Sequence, residues 1–117
     1  MNFINTSFAD NVTTVSFKDA RIFDETCIIA LGDELIDVAL KSETGHSVVI
    51  DFNKVNYLSS AALGKLITMN KRLKEKECNL KLINISDDIM EIFEITRLNR
   101  FFLIEKTQKV HLSFYIS

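Results

Sequence analysis

The chain has 117 residues, 47% of them hydrophobic, with nine phenylalanines, three glycines and no proline; this is enough for one domain with a core and leaves no room for linkers or low-complexity tracts. Its net charge of −2, from 14 basic and 16 acidic residues that are interspersed, carries no electrostatic footprint for nucleic acid. No apolar run approaches the ~20 residues of a membrane helix, and Met1-Asn2-Phe3-Ile4-Asn5 lacks the basic-then-apolar pattern of a secretion signal.

In chain order, Phe3 to Phe8 is a weak strand pattern. Val12 to Phe17 is a stronger one, β-branched and aromatic, with Val15 and Phe17 on one face. Asp10-Asn11 between them suits a hairpin turn. Asp24 offers a helix N-cap with Glu25 in the first turn. Ile28, Leu31, Leu35 and Val38 then recur at helical spacing and predict one buried face. Gly32 inside that pattern lowers helix propensity and permits close packing. Asp33, Glu34 and Asp37 read as the solvated face of the same helix.

Thr44-Gly45 ends this region. Ser47 to Phe52 is a nearly continuous apolar run, which predicts a central strand covered on both faces. A second helix is expected from about Ser60 to Lys76, with Ala62, Leu66, Met69 and Leu73 as its stripe and Lys65 among its polar positions. Lys71, Arg72, Lys74 and Lys76 form a solvated helix end that suits the dipole. Leu80 to Ile85 is the next strand. Ser86-Asp87-Asp88 caps a short third helix with Ile89, Ile92 and Phe93 inward, and Phe101 to Ile104 returns to the core as a short strand. Val49, Ile50 and Phe52 are expected in that core with Leu31, Leu35, Leu63, Leu66, Leu82 and Phe93. The order β-β-α-β-α-β-α-β predicts an α/β fold over residues 1–117 as a single domain, a small mixed sheet packed by helices.

Val110, Leu112, Phe114 and Ile116 alternate with His111, Ser113, Tyr115 and Ser117. That period of two predicts a half-buried strand. It would close the sheet edge beside Phe3 to Phe8, or pair with a second copy to make a homodimer. Cys27 and Cys78 have no metal-ligand spacing and read as a reduced cytosolic pair rather than a disulfide.

The segment from Val48 to Leu66 holds the chemistry. It runs from a buried strand through a short turn to two adjacent serines, Ser59 and Ser60, and on into the second helix. The simplest role for such a pair is N-capping. A phosphate added there would also meet free backbone N–H groups and the positive end of the helix dipole. Catalysis is not supported. Tyr57-Leu58-Ser59-Ser60-Ala61 is not the Gly-x-Ser-x-Gly of a nucleophile elbow, and neither His46 nor His111 is placed to activate a hydroxyl. No His/Cys/Asp/Glu cluster has metal spacing and no Gly-rich phosphate loop is present, so neither metal nor other cofactor is expected.

The block Val49 to Leu66 resembles the signature of the STAS domain, as found in bacterial anti-sigma factor antagonists. Asp51-Phe52-Asn53-Lys54-Val55-Asn56-Tyr57-Leu58 matches its first half, and Ser59-Ser60-Ala61-Ala62-Leu63-Gly64 occupies the second. The family's phosphorylated serine falls on Ser60. Ser59 stands where the family usually has aspartate, Ala61 and Ala62 replace Ser/Thr and Gly, and Leu63 and Gly64 agree. Phe23-Asp24 with Ile28 and Leu31 is similar to the family's Leu-Asp helix start. Leu80 to Ile85, Ile89 to Phe93 and Thr96 to Phe102 resemble its last strand-helix unit, with Glu77-Cys78 in place of a Gly-Gly pair. The resemblance covers about residues 10–106 and leaves 107–117 as a C-terminal strand or tail.

The resemblance implies a cytoplasmic, non-enzymatic module that regulates transcription through protein contacts. Its partner would be an anti-sigma factor or histidine-kinase-like serine kinase that uses ATP, with a phosphatase reversing the modification. Phosphorylation at Ser60 would place about −1.5 to −2 charges at the contact centre. The implied contact surface gathers Asp24, Asn56, Tyr57, Leu58, Ala61 and Lys65 around Ser60, with Ser59 as N-cap and secondary phosphorylation candidate. The alternative is an unphosphorylated STAS scaffold, or a regulatory subunit of a larger signalling or transport complex, which serine at position 59 favours.

Overall fold

Two left-handed residues set the first turn. Asp10 and Asn11 have φ of 54° and 65°, the pair of positive values that a tight hairpin turn demands and that short polar side chains tolerate. They join β1 (Ile4–Ala9) to β2 (Val12–Phe17) in an antiparallel pair, with Ala9 opposite Val12 and Ile4 opposite Phe17. The computed structural model describes residues 3–18 and 28–106. Asp24, Cys27 and residues 107–117, His111 included, lie outside the described residues.

β3 (Ser47–Asp51), β4 (Asn79–Ile85) and β5 (Leu103–Lys106) add to β2 in parallel, giving the sheet order β1-β2-β3-β4-β5. The connections are α1 (Ile28–Lys41), α2 (Ser60–Glu75) and α3 (Asp87–Ile95), with a short 3₁₀ turn at Leu98–Arg100 before β5. Capping explains two helix starts. Ser59 and Ser86 are extended, and each side-chain oxygen accepts the N–H three residues on, from Ala62 and Ile89.

The expected element order is observed, with one correction to burial. Register aligns Val15, Ile50, Leu82 and Ile104 on one face of the sheet and Thr14, Val49, Lys81 and Leu103 on the other. Val15, Ile50 and Leu82 are fully buried, whereas Val49 is only half-buried and Leu103 is exposed. The strands follow one another in chain order, so right-handed crossovers stack successive helices on one side. The apolar run of β3 is therefore covered on one face, not two, and Val49 is not core. The other expected core residues are buried: Ile50, Phe52, Leu31, Leu35, Leu63, Leu66, Leu82 and Phe93. Val38 and Ile92 are half-buried, and Ala39 takes the fully buried place on α1. Phe17 meets Phe52 edge-on at 5.6 Å, and Phe93 meets Phe102 at 5.7 Å.

Several charges do more than solvate helices. Both carboxylate oxygens of Glu34 accept the N–H of Phe3 at 3.0 Å, tying β1 to α1. Asp33 and Asp37 are exposed as expected, and Asp37 pairs with Lys41 at 2.9 Å. Lys76 donates to the carbonyls of Leu40 at 2.6 Å and Ala39 at 3.3 Å, closing the C-terminal end of α1. Cys78 is a buried free thiol that donates to the Glu43 carbonyl at 3.1 Å. Among the described residues no helix is long and apolar enough to cross a membrane, and no His/Cys/Asp/Glu group could hold a metal.

The end of α2 is strained at one residue. The N–H groups of Glu77 and Cys78 donate to the carbonyls of Lys74 and Leu73, at 3.0 and 2.8 Å, and Glu77 has a φ of 61°. This is a Schellman closure whose left-handed position ordinarily belongs to glycine. Glu77→Gly is expected to stabilise the domain by about 0.5–1 kcal/mol, the Cβ penalty of a left-handed residue less the added freedom of the unfolded chain. Urea titration of the two proteins checks it.

Candidate functional site

The segment between β3 and α2 is held at both ends. Asp51 Oδ1 accepts from the Asn53 N–H and from Asn84 Nδ2, each at 2.9 Å. Asn84 has a φ of 58°, so this bond joins the end of β3 to the irregular end of β4. The Phe52 N–H donates to the Ile83 carbonyl, and the Val55 N–H to the Phe52 carbonyl, both at 2.9 Å. Phe52, Val55 and Leu58 are buried, while Asn56 and Tyr57 face solvent. Three apolar anchors at intervals of three residues thus press the loop against the core.

Leu58 is one of these anchors, at 4% exposure, which corrects its place among the docking residues. Ser59 also points inward: it is 8% exposed, and its Oγ takes the Ala62 N–H at 3.1 Å. That bond makes Ser59 the N-cap and leaves it badly placed as a second phosphorylation site. Ser60 is the first residue of α2 and exposed, and its hydroxyl forms no hydrogen bond among the described residues. The two serines divide the work. One closes the helix, and the other presents an exposed hydroxyl beside the helix mouth.

Electrostatics sharpen the contrast. α3 carries Asp87 and Asp88 in its first turn, but α2 carries no acidic residue there. Among the described residues, the first turn of α2 therefore brings no acidic side chain of its own to the positive end of the dipole. Ser59→Ala is expected to cost about 1 kcal/mol through loss of the cap, and Ser59→Asp to be neutral within about 0.5 kcal/mol, because either oxygen can cap. Thermal melts of both variants check this.

Around Ser60 the rim is shaped by small residues. Ala61 and Gly64 are exposed on α2, and a Cβ on Gly64 would meet nothing within 4 Å. Gly32 of α1 differs. A Cβ there would lie 2.6 Å from Lys65 Cδ, so the lysine stem crosses α1 where glycine leaves room. Lys65 is accordingly half-buried. α1 and α2 both start at the C-terminal rim of the parallel strands, which places Ile29, 72% exposed, on the same rim as Tyr57, 55% exposed. Sequence reasoning missed Ile29. The available signal was an apolar residue falling beside, not on, the stripe of Ile28, Leu31 and Leu35.

Of the expected site residues, Asn56, Tyr57, Ser60 and Ala61 share this exposed rim, Lys65 lies partly beneath it, and Leu58 and Ser59 support it. No base activates the Ser60 hydroxyl among the described residues. His46 precedes β3 at the far end of the strand and packs on Phe8 with ring centroids 5.3 Å apart.

Comparison with known proteins shows what the chain as a whole is similar to. The model of the STAS domain family matches residues 17–111. The anti-sigma-B factor antagonist of Staphylococcus epidermidis is 26% identical over 90 residues, which span 76% of this chain and 83% of that protein. The structure of an anti-sigma-factor antagonist (STAS) domain protein from Planctomyces limnophilus superposes with a TM-score of 0.79 at 21% identity, over 90% of this chain and 91% of that one. The phosphorylated form of the Bacillus cell fate determinant SpoIIAA gives 0.62 at 12% identity, over 86% and 89%.

Proposed function

The chain belongs to the STAS domain family, and on that premise we propose that it is a phospho-switchable binding module that antagonises an anti-sigma factor. The observation that carries this reading is the exposed hydroxyl of Ser60 on the first turn of α2, unbonded among the described residues, with capping delegated to Ser59. In the unmodified state Tyr57, Ile29 and the flush surface of Ala61 and Gly64 meet the partner. The two exposed large side chains supply apolar contact, and the small residues let the partner backbone approach closely.

Phosphorylation of Ser60 leaves the fold in place. The phosphate would meet the positive end of α2, whose own first turn carries no acidic residue. At the interface the same charge loses water without gaining a counter-ion, which costs several kcal/mol. Partner affinity changes and the backbone does not, so the output is a shift in binding equilibrium. A kinase using ATP and a phosphatase set the modified fraction. The names of the S. epidermidis relative and of the phosphorylated SpoIIAA form support this reading.

The test has two parts. The protein is incubated with ATP and candidate anti-sigma kinases, then mapped by mass spectrometry. The expected product carries one phosphoryl group on the peptide containing Ser60, and Ser60→Ala abolishes it. Binding to the same anti-sigma factor, measured by calorimetry, should be tight before modification and lost after it. Tight binding with no phosphorylation by any kinase would favour a constitutive STAS scaffold, the reading that serine in place of the family aspartate at position 59 suggests.

A further inference from the structure

β5 ends the sheet order, so among the described residues no strand lies against its outer edge. The backbone groups on that side are an open template for another strand. The apolar layer on the helix side is also unfinished there. Ile104 shares a face with the fully buried Ile50 and Leu82, yet it is only half-buried. On α3, which precedes β5, Ile92 is half-buried and Ile95 is 74% exposed.

The chain that follows β5 narrows the choice of occupant. Thr107, Gln108 and Lys109 lead from Lys106 into a segment that alternates strictly, with Val110, Leu112, Phe114 and Ile116 in one set and His111, Ser113, Tyr115 and Ser117 in the other. The far edge of the sheet is out of reach. A place beside β1 lies five strand spacings from β5, ~24 Å at ~4.8 Å each. Four Cα steps from Lys106 to Val110 span at most ~14 Å. The near edge needs only a turn. A two-residue type I′ loop demands two left-handed residues, and type II′ demands glycine, but this linker has no Gly, Asn or Asp. A three-residue loop is among the next most common and demands only one left-handed residue.

Loop length fixes which face each residue takes, because opposed residues of an antiparallel pair point to the same side. With 107–109 as the loop, Leu112 falls opposite Ile104 and Phe114 opposite Phe102, on the helix side. His111 and Ser113 fall opposite Glu105 and Leu103, on the open side. The apolar set thus lands where the apolar layer is incomplete, and a shift of one residue would reverse every position.

We propose that residues 110–117 form a sixth strand, folded back antiparallel on the free edge of β5 in the same chain, with Leu112 and Phe114 completing the core beside Ile104 and Phe102. The strand closes this edge to other chains. It does not depend on the role of Ser60.

Solution NMR of the full chain tests the proposal. The expected result is extended-strand chemical shifts over residues 110–116, with cross-strand nuclear Overhauser contacts between residues 103 and 113 and between 105 and 111. In a mixture of labelled and unlabelled protein, no such contact should join different chains. Leu112→Asp and Phe114→Asp should each lower the melting temperature by about 5 °C or more, because each places a charge in the apolar layer. Ser113→Lys, on the open side, should change it by no more than about 2 °C. Random-coil shifts over 110–116, contacts to Ile4–Ala9 in place of β5, contacts only between different chains, or a melt more sensitive to Ser113→Lys than to Leu112→Asp would each overturn the proposal.

Discussion

Leu66→Ala will lower the stability of the domain by about 2–5 kcal/mol. Leu66 is fully buried at the centre of the α2 stripe, between Ala62 and Leu63 on one side and Met69 and Leu73 on the other, all of them buried as well. Removing its branched end leaves a cavity between α2 and the sheet that rigid neighbours cannot fill. Against a typical total of about 5–15 kcal/mol the loss is large. Urea titration should show a lower midpoint with an unchanged slope, the mark of reduced stability rather than an altered unfolded state. A loss below about 0.5 kcal/mol would mean that this face of α2 does not contact the core.

Ser60→Asp will separate stability from binding. A carboxylate in the first turn of α2 meets the helix dipole where no acid now stands, and should add about 0.3–1 kcal/mol to stability. The same charge should weaken binding to the anti-sigma partner by about a hundredfold or more, since ~2.7 kcal/mol is modest for a carboxylate buried without a counter-ion. Calorimetric titration of the partner with the native and substituted proteins decides it. Equal affinities would remove Ser60 from the contact and with it the switch, whereas a loss of affinity with a melt that is raised, not lowered, is what a charge that suits the helix and opposes the interface produces.

Elements with strong periodicity were legible from the chain alone. The 3.6-residue stripe of α2 and the capping serines at positions 59 and 86 put both helix starts where the structure has them. β3 was found but its surroundings were misread, because an apolar run reports what a strand tolerates and not how many layers cover it. The deciding fact was that its neighbours in sequence are also its neighbours in the sheet, and crossover handedness then sends the helices to one side. Leu58 was misplaced for a local reason. In a loop without period, an apolar residue beside an exposed tyrosine does not declare its direction. Glu34 escaped notice because what distinguishes it is long-range, a bond to the backbone N–H of Phe3.

Gly64 has a dynamic consequence beyond its smooth surface. A side chain there would meet nothing, so alanine would fit and would strengthen the helix by about 1 kcal/mol. The glycine leaves a weak joint one turn after Ser60. Although Ser59 caps this turn and Ala62 and Leu63 are buried, the glycine should make the first turn of α2 open more readily than the turns after it. Hydrogen exchange should find the amides of residues 61–64 opening much faster than those of residues 66–73, and Gly64→Ala should slow them. On the proposed reading, a serine in that turn would reach a modifying enzyme as extended chain and return to the rim as helix. On that reading the residue that spares the interface a side chain would also set how often Ser60 can be modified.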